Sequence, residues 1–598
     1  MAATDCQKDE LGSKSDGASD DDEIIRSTNV KSKDGQWHAM YLARSREGKK
    51  MLLRFELTKT PAAGQPTVHR RTFDLRELVG VRMAMDASSA APVKLSGGVP
   101  LFSPNGLQAT DNSLAIDELK PVICSPKPIS ISGATTLYLY FIARPGDNIW
   151  RVQPIIITFE SSAECASWET VFQQECQQSH RPRALLVYVN PYGGRNKAMN
   201  IYRQKVAPIF ALAGIHTHVV QTQRPNHAMD ELRTMNPRCL YEFSGVISVG
   251  GDGTFNEVLC GAVIREQIDS GKDIADIDVD ALVTPRLKLG IIPAGSSNSV
   301  VQSAQGSADV VTAALHIALG DDCGVDICTV HRGSDLMRIS ANAISYGWLG
   351  DLLKHSEDLR RLGPVRYQWS ALRAILKHPS YGGRVAFRLS GVGSSSSAAH
   401  LNEKKRGELD LPPCADGCVI CRSDKARETA GNDTDACTGD ASVYPFHWQA
   451  EWNHIICCVI PCMSPFTPKG LAPFTALGDG SMDLTLITKI TRTENVGFLR
   501  RVALRGGRDL KGDSRVKTFR VSRFSFTPTS LSDDESRELG VWNVDGEIIH
   551  QPADTLHFRL HTRLIRFFGR EIEPKSMQTD VKRCFCSRRK APSAIIRD

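Results

Sequence analysis

The stretch VISVGGDGTFNEVL, Val246 to Leu259, constrains this chain more than any other. Val246, Ile247 and Val249 form a short β-like run that enters Gly250-Gly251-Asp252-Gly253, and a helix-compatible run follows from near Thr254. A strand that ends in glycines and reopens as a helix is a phosphate-handling turn. Glycine lets backbone N–H groups approach an anion closely and adopts positive φ at little steric cost. The helix aims the positive end of its dipole at the same spot. A carboxylate among those donors repels phosphate unless it binds a metal or takes up a proton. The turn therefore points to catalysis, with Asp252 as the reactive group. The plainer alternative is an aspartate that caps the helix at Thr254.

The same pattern recurs nearby. Leu185 to Val189 runs into Asn190-Pro191-Tyr192-Gly193-Gly194, with a helix predicted from about Ala198 to Leu212. LKLGIIPAGSSNS supplies another strand, loop and helix around Pro293-Ala294-Gly295-Ser296, and THVVQTQRPNHAMDEL lies between. This βαβα alternation predicts a parallel sheet with covering helices. Its loops gather at the C-terminal edge, where open α/β sheets bind ligands.

A chain of 598 residues is too long for one core. Residues 1–24 are polar and acidic and read as disordered. They contain no apolar leader, and no apolar run in the chain approaches the ~20 residues that span a bilayer. The expectation is a cytoplasmic protein whose membrane contact is peripheral. A net charge of +6 is too mild to imply nucleic acid, and the 17 cysteines read as reduced thiols. Residues 25–178 hold short β-like runs (WHAMYLA, KMLLRFELT, TLYLYFIA, RVQPIIITFE) and close on a helix whose Trp168, Val171, Phe172 and Cys176 share one face. Strands followed by one capping helix with a central Trp resemble a pleckstrin-homology (PH) domain. That implies phosphoinositide binding, with Lys49, Lys50 and Arg54 as candidates; a scaffold contacting the rest of the protein is the alternative. Residues 183–323 form the α/β lobe. Residues 324–572 read as a β-sandwich-like lobe, with helices near Arg360 to Lys377 and Asn495 to Leu504 and a polar insertion at 390–442. Residues 573–598 form a basic tail, with Lys582, Arg583, Arg588, Arg589 and Lys590 around Cys584 and Cys586. The tail reads either as a membrane-attracted segment or as a solvated one.

VNPYGG, VQTQRPNHA, VGGDGTFNEVLCG and GIIPAGSSNS, in this order, resemble the diacylglycerol-kinase-type lipid kinases, and LGDGSMDL and NVDGE extend the match. The fold implied is α+β and multidomain: the PH-like domain, a phosphofructokinase-like α/β nucleotide lobe and a β-sandwich lobe. Within that group the ceramide kinase branch fits best, and the plant type in particular. The β-domain precedes the kinase lobe, YGWLGDLLKHSEDLRRLGPVRY matches, and the insertion carries Cys414, Cys418 and Cys421 at Cys-x3-Cys-x2-Cys spacing. These thiols read as three zinc ligands or as packing or redox thiols.

The resemblance implies ATP-dependent phosphorylation of the primary hydroxyl of ceramide. It assigns Asp252 as the base and Gly250, Gly251, Asp252, Gly253 and Asp351 to the substrate. The nucleotide contacts it implies are Asn190, Pro191, Tyr192, Thr222, Gln223, Arg224, Pro225, Asn226, Glu257, Ser296, Arg360, Arg366, Asp545, Gly546 and Glu547. Magnesium is implied beside ATP, with Asp479 and Asp483 as candidates to assist it through water. Calcium dependence is implied too, with calmodulin a candidate partner at Asn495 to Leu504. The membrane surface is expected to be met through the PH-like domain and the tail. The rival readings are a sphingosine or diacylglycerol kinase, a PH-containing lipid-binding adaptor with an inactive kinase lobe, and an NAD kinase. The last is disfavoured by the added β-domain and the cysteine insertion.

Overall fold

The computed structural model describes residues 22–33, 35–45, 50–59, 67–84, 92–94, 100–102, 133–178, 180–193, 197–272, 282–359, 365–390, 443–472, 475–507, 515–529 and 539–570. The first sheet has seven strands: β1 (Glu23–Ser32), β2 (Trp37–Arg44), β3 (Met51–Lys59), β4 (Thr67–Asp74), β5 (Leu78–Ala84), β8 (Thr136–Gly146) and β9 (Ile149–Thr158). Their order is β4-β3-β2-β1-β9-β8-β5. Among the described residues β6 (Pro92–Lys94) and β7 (Pro100–Phe102) pair only with each other. Helix α1 (Ser162–Gln178) packs Cys165, Trp168 and Phe172 into this sheet's core, as their shared face requires.

β1 starts two residues before the expected domain boundary, and Asp22 just ahead of it pairs with Arg54 at 2.7 Å. This corrects the headgroup assignment of Arg54. Its side chain is only 6 % exposed and its charge is already met. Lys50 is exposed, and Lys49 lies outside the described residues.

The outer face of β5, β8 and β9 does not meet solvent. Val79, Tyr138, Tyr140, Trp150 and Val152 belong to the same apolar core as the α/β lobe. Polar ties reinforce the seam. The Trp150 N–H donates to Thr312 Oγ1 at 2.9 Å, and Arg151 pairs with Asp309 at 2.6 Å. Gly80 lies so close to Leu212 that a Cβ there would stand 2.2 Å from the Leu212 carbonyl oxygen. Trp150 also stacks on His316 with ring centroids 3.8 Å apart. Burial first, then Arg570 and Arg144, push His316 down to about 3. The folded state thus excludes a proton that the unfolded chain binds near 6.5. That stability is complete above about pH 6.5 and drains as pH falls towards 3. The wild type should therefore lose about 2–3 kcal/mol more than His316→Phe between pH 7 and pH 4.5, read from denaturant midpoints.

The second sheet begins with the parallel strands β10 (Ala184–Val189), β11 (His216–Gln221), β12 (Gly245–Gly250) and β13 (Lys288–Pro293), in the order β11-β10-β12-β13. β10, β12 and β13 are buried almost throughout while the edge strand β11 is partly exposed, and residues 198–212 are helical as expected, with a π turn at Tyr202–Val206. Helix α2 (Asp252–Asp269) follows β12, and α3 (Ser299–Gln305) and α4 (Val310–Leu319) follow β13.

The chain then enters β14 (Asp322–Arg332), β15 (Asp335–Ser340), β16 (Ala343–Gly347), α5 (Trp348–Asp358), α6 (Val365–Lys377) and β17 (Tyr381–Leu389). After the insertion come β18 (Phe446–Cys458), β19 (Met482–Thr488), α7 (Arg492–Arg505), β20 (Val516–Pro528), β21 (Val541–Val544), β22 (Glu547–His550) and β23 (Leu556–Phe568). β17 pairs with β18 and β20, and β19 pairs with the same two, so these four strands close a ring around a buried aromatic and aliphatic core. One parallel pairing, Leu289 with Phe567, joins β13 to β23, so the sheet runs from one lobe into the other.

Candidate active site

Three loops meet at the C-terminal ends of β10, β12 and β13. A Cβ on Gly251 would stand 3.2 Å from Gly295 Cα, and one on Gly193 would stand 3.4 Å from the Ala294 carbonyl oxygen. The Gly251–Gly295 approach is tighter than a Cβ ordinarily tolerates. The loops are also hydrogen-bonded to one another. The Asn190 N–H donates to the Val249 carbonyl at 3.0 Å, and its Nδ2 donates to Thr254 Oγ1 at 3.0 Å. The Ala294 N–H donates to the Gly250 carbonyl at 2.8 Å. Asn298 sits at φ 52° and accepts the Gly295 N–H at 2.8 Å, which closes the third loop. A Cβ on Gly253, in contrast, would meet nothing within 4 Å, so the space beside Asp252 is open on that side. Replacing Gly295 with Ala would push a Cβ to 2.5 Å from Gly251 Cα. We expect kcat/KM to fall on the order of 10²-fold, as for an ångström-scale misplacement of reacting groups. Steady-state kinetics at matched folded fraction checks this.

Helix α2 starts on Asp252 itself, two residues earlier than expected, and Gly251 is its N-cap. Asp252 therefore does not cap its own helix. Its Oδ2 accepts the Ser299 N–H and its Oδ1 the Val300 N–H, both at 3.0 Å, so it anchors the start of α3. Burial raises the pKa of the carboxyl above its ordinary value, against the opposing pull of the Val300 and Ser299 N–H groups and of its own backbone N–H. The result is a fixed, desolvated carboxylate that binds a proton more readily than an aspartate in water.

Behind it stands Asp545, in the turn between β21 and β22 at φ 51°. Its carboxylate accepts five hydrogen bonds, from Ser340 Oγ (2.7 Å), the N–H groups of Ala341 (2.8 Å), Asn342 (3.2 Å) and Ala343 (2.9 Å), and Asn256 Nδ2 (3.1 Å). Burial raises it to about 6. This corrects the picture of Asp545 as a direct nucleotide contact, because its acceptor capacity is spent within the fold. It locks the 340–343 segment and helix α2 together. Asn342 then continues across the lobe boundary, where its Oδ1 accepts Ser299 Oγ–H at 3.0 Å. Nothing in the motif reading singled out Asn256, Ser299, Ser340 or Asn342. Asn256 alone carried a signal, as a polar residue on a helical face between Phe255 and Leu259 that are buried.

The remaining expected residues divide. Asn190, Pro191 and Tyr192 lie at the first loop, and the Tyr192 ring is 76 % exposed beside it. The Thr222 N–H donates to the Val189 carbonyl at 2.9 Å, Gln223 N–H donates to His227 Nδ1, and Arg224 pairs with Asp230 at 2.6 Å. Asn226, after Pro225, is at φ 60°. Glu257 accepts the backbone N–H groups of Asn226 and Ala228, so it ties this loop to α2. Its pKa is raised by burial first, and the nearby charges of Glu547 and Asp230 add to the rise. Ser296, Gly546 and Glu547 are exposed. Asp351, in the first turn of α5, accepts the Tyr381 hydroxyl at 2.6 Å at the edge of an aromatic cluster with Tyr346 and Trp542. Arg366 lies on α6, whereas Arg360, Cys414, Cys418, Cys421 and the basic tail fall outside the described residues.

One expectation is corrected by packing. Asp479 is paired with Arg520 and accepts the N–H groups of Ala476 and Ser481 at 3.1 Å, and Asp483 is buried against the same arginine. Both are committed to holding the LGDG turn. Residues 495–504 belong to α7, which starts at Arg492 through a Thr491/Glu494 capping box and buries Phe498 and Val502. Its inward residues are packed, while Val496 and Leu504 stay exposed. Among the described residues no group of three or more His, Cys, Asp or Glu side chains is placed to hold a metal.

Residues 184–330 match the diacylglycerol kinase catalytic domain model, and residues 419–587 match the ceramide kinase C-terminal domain model. Ceramide kinase 1 of Caenorhabditis elegans is 42% identical over 80% of this chain and 83% of its own length. The Homo sapiens ceramide kinase is 34% identical over 73% and 82%, and the Arabidopsis thaliana ceramide kinase 27% identical over 67% and 75%. The animal proteins thus share more of this sequence than the plant one, against the expected plant type.

Proposed function

The chain belongs to the ceramide kinase family, and on that premise we propose that it transfers the γ-phosphoryl group of ATP to the primary hydroxyl of ceramide at a membrane surface. The observation that carries the site assignment is the desolvated Asp252 carboxylate, pinned by the Ser299 and Val300 amides beside open space at Gly253. Asp252 accepts the hydroxyl proton as the oxygen attacks phosphorus. Phosphoryl transfer asks the protein mainly for positioning and charge stabilisation. The glycine loops present N–H groups to the phosphates, helped by the dipole of α2. Asn190, Pro191, Tyr192 and the 222–226 loop border the nucleotide, with Glu257, Ser296, Arg360, Arg366, Gly546 and Glu547 as further contacts. Asp351, through its bond to Tyr381, faces the ceramide headgroup. Magnesium supplies charge neutralisation between the phosphates. Asp252 and Asp545 already accept protein donors, so the ion would be held chiefly by phosphate oxygens, with Glu547 as the exposed carboxylate on hand.

The N-terminal sheet and α1 form the PH-like domain, and membrane contact is peripheral. Among the described residues no helix is long and apolar enough to cross a bilayer. Calcium dependence is kept as a regulatory property to be tested by titration of the purified protein.

The test is labelled-ATP transfer to ceramide, sphingosine and diacylglycerol presented in the same mixed micelles. Ceramide should be the preferred acceptor, with Asp252→Asn as the blank. Equal or better labelling of sphingosine or diacylglycerol would reassign the substrate, and labelling of none would favour a lipid-binding adaptor.

A further inference from the structure

Helix α6 is built inside out. Its small residues face the protein: Ser370 and Ala374 are buried, and Ala371, Ala374 and the partly buried Ile375 pack with Leu352 and Leu499 of the neighbouring helices. Three of its large apolar residues face away. Trp369 is 59 % exposed, Leu372 50 % and Leu376 62 %. Their spacing of i, i+3 and i+7 places them on one stripe. Arg373 and Lys377 are exposed beside that stripe, and the 13-residue helix contains no Asp or Glu. A helix that only covered a core would place these residues the other way round. Scattered exposed leucines need no explanation, but a Trp and two Leu in one row with a basic flank form an interaction surface.

We propose that this face of α6 is a membrane-docking surface that seats Trp369, Leu372 and Leu376 at the headgroup–acyl boundary of an anionic bilayer, with Arg373 and Lys377 on the lipid phosphates. The charge selects the occupant. Cations flanking an apolar row that carries Trp match an anionic lipid surface, where aromatic and basic side chains settle. The position supports it too. α6 packs directly on α5, the helix that carries Asp351, so docking here holds the lobe that receives the lipid against the layer that contains it. This surface belongs to neither the PH-like segment nor the basic tail of the sequence. It rests on the ceramide kinase reading only for the identity of the lipid delivered.

The test uses the full chain and vesicles of phosphatidylcholine with a minority of phosphatidylserine. The triple variant Trp369→Ser, Leu372→Ser, Leu376→Ser should melt like the wild type, because the side chains removed are exposed. It should lose vesicle affinity on the order of tenfold or more. Its turnover should fall on long-chain ceramide embedded in vesicles and stay unchanged on a short-chain ceramide dispersed in solution. Arg373→Glu with Lys377→Glu should weaken binding only when phosphatidylserine is present and salt is low. Unchanged sedimentation and vesicle turnover in the triple variant would overturn the proposal. So would a wild-type dimer, seen by light scattering, that the triple variant dissolves, because the face would then join two copies of the chain. If the wild type phosphorylates no ceramide in either form while the triple variant still loses vesicle binding, the ceramide reading fails and the docking surface stands.

Discussion

Asp252→Asn should lower kcat by about 10³-fold, within the range general-base groups contribute, and leave ATP binding nearly intact. Asparagine keeps the size and one acceptor. That acceptor satisfies either the Ser299 or the Val300 N–H, both of which the carboxylate holds at 3.0 Å. Its amide group faces the other donor, so a cost of about 1–2 kcal/mol in stability should accompany the loss. These two effects separate the roles. A residue that only anchored α3 would lose turnover in step with the folded fraction, and nucleotide affinity would fall with it. A base loses turnover in the fully folded enzyme. Turnover and ATP titration of a preparation confirmed folded by its melting curve read both effects.

Asp545→Ala should be the most destabilising single change near the site. It strips one acceptor from five donors, of which the Ser340 hydroxyl, the Asn256 amide and the Ala341 and Asn342 N–H groups are buried. Leaving such donors unmet costs about 1–3 kcal/mol each where water cannot replace the partner. Partial hydration of the gap keeps the expected total at about 3–5 kcal/mol. Activity should fall further than the folded fraction explains, because the 340–343 segment carries Asn342, which holds Ser299 in place. Asp545→Asn should be no milder than about 2 kcal/mol, since its NH2 would point at N–H donors. Chemical denaturation with parallel assays at low temperature checks both variants. A variant as stable as the wild type would mean that the turn between β21 and β22 does not depend on this carboxylate.

The glycine loops were legible because close backbone approach restricts the residue type, so the constraint is written locally. The strand–loop–helix alternation around Asn190, Asp252 and Gly295 likewise placed three loops on one sheet edge. The chain that holds Asp252 was not legible. Asp545 lies 205 positions from Ser340, and Ser299 lies 43 from Asn342, so no spacing rule connects them. β1 escaped notice because Val30 is its only fully buried residue among polar neighbours, and its pairing with β2 and β9 supplies the order instead. Arg54 resembled a surface cation beside Lys49 and Lys50, yet Leu53 and Phe55 on either side are buried with it. Alternation predicted one dry face there, and both faces of that strand are covered. The start of α7 was legible in principle, since Thr491 and Glu494 spell a capping box. The inverted face of α6 shows the opposite limit. Its hydrophobic period is helical whichever way it points, and only the fold decides that the large residues look outward.

The acid limb of kcat/KM on ceramide decides whether Asp252 takes the proton. Burial raises this carboxyl above 3.8, and the reactive form is deprotonated, so activity should fall as pH drops through that raised pKa. The wild-type profile should show a one-proton limb lying above the usual aspartate range, and the residual activity of Asp252→Asn should be flat across the same interval. An identical limb in Asp252→Asn would assign the proton to another group and contradict the mechanism.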